Sequence, residues 1–145
     1  MVTGDSEVLH GCDLLCPVAH LMRGAPPFVD PEDTLRAAAQ AMAGQKTGAA
    51  ILLGPDGPTS IVTEQDIVRA LADQADPDTF WVADVASRDL VAIDPETTVV
   101  EAVELMAKAH IRHVPVKSHG EVIGMVVAED ILDLLGATAL RTGAA

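Results

Sequence analysis

Asp30-Pro31-Glu32-Asp33-Thr34 returns at a constant offset of 64 positions as Asp94-Pro95-Glu96-Thr97-Thr98. Working outward from that pair, residues 28–71 and 92–135 align without a gap. Met42-Ala43 meets Met106-Ala107, Asp66-Ile67 meets Asp130-Ile131, and upstream Val18-Ala19 meets Val82-Ala83. A period this long, present twice, does not describe a solenoid. It predicts two copies of one small unit packed about a pseudo-twofold axis, with two related clefts between them.

Composition agrees with shared burial. A unit of about 60 residues buries only ~60% of its unfolded surface and is marginal alone. The chain is 49% hydrophobic, yet Phe28, Phe80 and Trp81 are its whole aromatic set. Its core must come from Val, Ile, Leu, Met and Ala. Net charge is −13, from 22 acids against 9 Lys plus Arg. That sign disfavours nucleic acid and anionic membrane surfaces, which are bound by neutralising phosphates. No run reaches the ~20 apolar residues needed to span a bilayer. Residues 1–10 lack the basic-then-apolar order of a signal peptide, and two cysteines make no disulfide framework. A soluble, cytoplasmic protein is expected.

Each copy predicts the same β-α-β-β-α order, an α+β fold in the form of an α/β sandwich. A helical turn (18–22, 82–86) precedes a short extended piece (27–29, 91–93) and the Asp-Pro-Glu turn. Thr34 and Thr98 are candidate helix caps; Glu101, three residues after Thr98, completes a capping-box pattern. Val99, Ala102, Val103, Met106 and Ala107 fall on one helical face. Strands follow at 49–53 with 60–62 and at 113–116 with 122–127, separated by Gly-containing turns. Closing helices are expected at 64–72 and 129–135. The domain reading is an N-terminal extension 1–15, a first repeat 16–75, a linker 76–81, a second repeat 82–135 and a flexible tail 136–145.

The chemistry concentrates where the last strand meets the last helix: Ile61-Val62-Thr63-Glu64-Gln65-Asp66 in one copy, Gly124-Met125-Val126-Val127-Ala128-Glu129-Asp130 in the other. With the paired repeat and Arg112-His113-Val114-Pro115-Val116, the chain resembles a tandem pair of cystathionine-β-synthase-type (CBS) domains, a Bateman module, over about residues 16–135. The resemblance implies a regulatory, non-catalytic, energy-sensing module that binds AMP, ADP, ATP or S-adenosylmethionine between its repeats and forms a homodimer. It implies no required cofactor beyond a bound adenine nucleotide. One cleft would use Asp66 for ribose and Thr63 for phosphate, with Ile61, Val91, Ile111, Arg112 and His113 flanking the base. The other would use Asp130 for ribose and Arg112 and His113 near phosphate, with the base against Phe28 and Ala49. The chemistry is sound in itself: a carboxylate accepts from two vicinal hydroxyls at once, and a helix N-terminus suits a phosphate.

Three departures break the symmetry. Val127 stands where the second motif wants Thr or Ser, Ser60 replaces a leading Gly, and Gly48-Ala49 stand opposite Arg112-His113. One nucleotide site at most is therefore expected.

Other readings are blander. Thr63 and Asp66 have the form of a helix capping box. Cys12, Cys16 and His20 are of zinc-ligand type, but their spacing matches no standard zinc motif, and a free Cys is usually a small buried hydrophobe. Nothing resembles a nucleophile with its base, so no enzyme is expected. The alternative function is a dimerisation or interaction module with degenerate, empty clefts, acting on an unidentified protein target.

Overall fold

The computed structural model describes residues 13–86 and 89–141. In chain order the elements are a 3₁₀ turn Val18–His20, β1 Arg23–Gly24, β2 Phe28–Val29, α1 Leu35–Gln45, β3 Ala49–Gly54, β4 Gly57–Thr63, α2 Glu64–Ala72, a second 3₁₀ turn Val82–Asp84, α3 Val99–Ala109, β5 His113–Ser118, β6 Glu121–Val127 and α4 Ala128–Arg141. The mixed α+β architecture and the repeated order are those the sequence predicts.

The two compact units do not coincide with the two sequence repeats. One unit is continuous, residues 25–91; the other joins the residues up to 24 to those from 92 onward. Each repeat's leading turn has changed sides, and the same hydrogen bonds hold it in both units. Val18 N donates to Thr97 O at 2.7 Å and Ala19 N to Pro95 O at 3.1 Å. Sixty-four positions on, Val82 N donates to Asp33 O at 2.8 Å and Ala83 N to Pro31 O at 3.1 Å. Val18 and Val82 are both fully buried, and each such side chain stabilises its core by about 1.5–3 kcal/mol relative to exposure.

In the continuous unit the sheet order is β2-β3-β4, with β2 parallel and β4 antiparallel to β3. Ala50 and Leu52 of β3, Val62 of β4, and Ala38 and Met42 of α1 form one cluster with Val29 and Val82. In the split unit the order is β1-β6-β5, all antiparallel. There Val18 packs with Val99, Ala102 and Met106 of α3, Val114 and Val116 of β5, Val126 of β6, and Ile131 and Leu134 of α4.

Local signals hold where they are local. Thr34 Oγ1 accepts from Ala37 N at 3.1 Å, and Thr98 Oγ1 from Glu101 N at 3.3 Å, relieving an orphan donor of each helix start. Both helices end on a left-handed residue, Lys46 (φ 53°) and His110 (φ 56°). The hairpin tip His119-Gly120 has two positive φ values, 52° and 81°, the conformation that suits the twist of a two-residue β-turn. Both hairpins shift register at the equivalent place, Leu52/Leu53 and Val116/Lys117.

Four expectations need correction. Ala107 is exposed rather than on the buried face of α3. The second copy's leading strand is reduced to one parallel bridge, Ile93 with Val116. Helix α4 does not stop at Leu135 but runs to Arg141, as strong helix formers such as Ala and Leu favour. The segment expected as a linker is tied to α1: Leu35 N donates to Phe80 O at 3.1 Å and Arg36 N to Pro77 O at 2.9 Å. Arg36 also pairs with Asp78, and its guanidinium holds that exposed carboxylate below its ordinary pKa.

Candidate functional site

Each unit brings a strand start beside a helix start. Ala49 pairs with Thr63 across β3 and β4, and Gly48 O accepts from Glu64 N at 3.0 Å. His113 pairs with Val127 across β5 and β6, and Arg112 O accepts from Ala128 N at 3.0 Å. The antiparallel register therefore sets Gly48-Ala49 beside the start of α2 and Arg112-His113 beside the start of α4, and Asp66 and Asp130 each lie in the first turn of the respective helix. An acid there is favoured by the helix dipole.

The two carboxylates have different partners. Asp66 Oδ2 accepts from Thr63 N at 2.9 Å and from Thr63 Oγ1 at 3.2 Å. Its Oδ1 has no hydrogen-bond donor among the described residues; the nearest cation is Arg69 Nη1 at 3.7 Å. The cap is real, and it uses one oxygen. At Asp130 both oxygens are taken: Arg23 Nε lies 2.8 Å from Oδ2, and Arg23 Nη2 lies 3.0 Å from Oδ1. The Asp130 hydrogen bond is the main cause that raises the pKa of Arg23, opposed by burial and aided by the charges of Asp130, Glu129 and Asp133.

The remaining predicted residues fall as follows. In the continuous unit, Phe28 and Val91 expose their side chains, Ile61 is half-buried, and Ala49 is fully buried. In the split unit, Arg112 is exposed and His113 half-buried, while Ile111 packs against the core. Cys16 is half-buried against that core and accepts from Asp13 N through Sγ at 3.2 Å; His20 is exposed. Cys12 lies outside the described residues. Among the described residues no three His, Cys, Asp or Glu side chains gather as metal ligands. Arg23 is the site residue that sequence reasoning missed. Its signal was a break in the repeat, since Ser87 stands at the equivalent position.

The chain belongs to the CBS domain family, whose model matches residues 18–73 and 82–137. Hypoxic response protein 1 of Mycobacterium tuberculosis is 31% identical over 113 residues, covering 77% of this chain and 79% of that protein. A crystal structure of Hypoxic Response Protein I with two coordinated zinc ions is 29% identical, with TM-score 0.69, covering 81% of this chain and 97% of that one. A CBS domain protein from Pyrobaculum aerophilum complexed with AMP is 28% identical, with TM-score 0.72, covering 83% and 98%. The matched segment spans only 31% and 41% of the relatives from Methanocaldococcus jannaschii and Methanopyrus kandleri. No helix among the described residues is long and apolar enough to cross a membrane.

Proposed function

We propose that this chain is a non-catalytic sensor module that binds one adenine nucleotide through Asp66 and passes its occupancy to a protein target. The observation that carries the reading is Oδ1 of Asp66, which accepts no hydrogen bond among the described residues and has only Arg69 Nη1 near it, at 3.7 Å, while Oδ2 accepts from Thr63. That oxygen can accept from a ribose hydroxyl without dismantling the start of α2. Thr63 Oγ1 adds a hydroxyl near the helix N-terminus for phosphate. The relative complexed with AMP supports the ligand class.

A homodimer in the cytoplasm is the assembly we infer. Val68 and Leu71 of α2 are 65% and 47% exposed, and their repeat equivalents Leu132 and Leu135 of α4 are 65% and 41% exposed. Two apolar pairs repeated at the same helical positions suit self-association. The same pairs favour a second reading, a dimerisation module whose sites stay empty.

A thermal-shift panel with AMP, ADP, ATP, S-adenosylmethionine and cyclic di-AMP separates the two. A ligand that binds only the folded chain raises the melting temperature by mass action. The sensor reading expects at least one adenine nucleotide to do so. A panel without any shift at millimolar ligand leaves the dimerisation module.

A further inference from the structure

The geometry points to Arg23 as a latch that fills the second carboxylate, Asp130, and keeps a vicinal-diol ligand off it; this rests on the reading that these acids receive a ribose. The guanidinium makes a two-point contact, Nε to Oδ2 at 2.8 Å and Nη2 to Oδ1 at 3.0 Å. It thereby occupies both acceptors that a pair of ribose hydroxyls would need. A charge-assisted fork of this kind is stronger than two neutral hydroxyl donors.

The placement is built rather than incidental. Arg23 rides on β1, which pairs antiparallel with β6 at Arg23↔Met125 and Gly24↔Gly124. That approach requires glycine at 124, where a Cβ would stand 2.7 Å from Arg23 O and 2.7 Å from Met22 Sδ. Glu129 and Asp133 of α4 add their charges to that of Asp130 around the guanidinium. The contact is also openable, since the Arg23 side chain is 46% exposed and that of Asp130 22%. Among the described residues no arginine makes a two-point contact with Asp66, whose nearest cation is Arg69 Nη1 at 3.7 Å. The latch thus makes two nearly symmetric repeats unequal in what they accept.

Titration calorimetry with AMP on the full chain tests this. Arg23→Gln should acquire an AMP site that disappears again in Arg23→Gln/Asp130→Ala. In an Asp66→Ala background, adding Arg23→Gln should tighten AMP binding roughly two- to fivefold, the scale of a well-formed, partly exposed ion pair. If wild type binds one AMP and Arg23→Gln is unchanged, the latch fails while the Asp66 reading stands. If wild type binds none, that reading fails, and the latch is then decided by whether Arg23→Gln gains an Asp130-dependent site. Should Arg23→Gln not fold by circular dichroism, Arg23→Met, which keeps an unbranched stem without the charge, is expected to show the same gain; no gain there overturns the latch.

Discussion

Asp66 turns one oxygen back to Thr63 and leaves the other without a donor among the described residues. Oδ2 takes both the Thr63 amide, at 2.9 Å, and the Thr63 hydroxyl, at 3.2 Å. The bond from the Thr63 amide to Oδ2 survives any side chain at 63, whereas the reciprocal half of the capping box, from Asp66 N to the Thr63 side chain, is lost with the hydroxyl. Thr63→Val, which copies the natural Val127, should leave the melting temperature within a few degrees. It should weaken AMP about tenfold, the scale of a lost hydrogen bond to a charged group, while adenosine, lacking the phosphate, is scarcely affected. Calorimetry with the two ligands side by side checks this; equal losses for both would remove Thr63 from the phosphate role.

Gly124 is where β1 can lie on β6. Adding a methyl there brings it to 2.7 Å from a backbone oxygen, Arg23 O, which cannot swing aside as the Met22 side chain can. Gly124→Ala should therefore cost about 1–3 kcal/mol, as overpacking usually does. A thermal melt should show Tm lower by roughly 3–10 °C for a domain of this size. Gly24→Ala, with nothing within 4 Å of its Cβ, is the matched control and should change Tm much less.

The exposed apolar pairs on α2 and α4 predict where copies of the chain meet. Val68→Asp or Leu132→Asp places a charge on a position that is 65% exposed in one chain, so the fold should survive. Light scattering should report a dimer for wild type and a monomer for the double variant. A double variant that remains dimeric would move the interface elsewhere.

Much of this architecture was legible because its signals are local or periodic. The repeat read off Asp30-Pro31-Glu32 and Asp94-Pro95-Glu96 predicts the element order, and Thr34 and Thr98 cap their helices as their chemistry implies. What escaped is tertiary. Val18 and Val82 look like the start of their own repeats, yet each is buried in the unit that holds the body of the other. Nothing in the period of a sequence encodes such an exchange. Arg23 and Asp130 are 107 positions apart, so no spacing rule joins them, and β1 is too short to announce itself by alternation. Asp76-Pro77-Asp78 marks the linker by its turn chemistry, but its hydrogen bonds to the start of α1 are tertiary and carry no sequence signal. At the candidate site, the residue types were readable while their occupancy was not. Asp66 and Asp130 hold equivalent positions in the repeat, and the Thr63/Val127 difference beside them was readable, whereas the reach of Arg23 to Asp130 was not.

The most direct measurement is the stoichiometry of AMP binding to wild type and Asp66→Ala by titration calorimetry. Asp66→Ala should remain folded, with about 1 kcal/mol lost from the helix cap. The account predicts one AMP per wild-type chain, and binding by Asp66→Ala weakened at least tenfold. Unchanged affinity in Asp66→Ala, or no heat of binding in wild type at millimolar AMP, would contradict it.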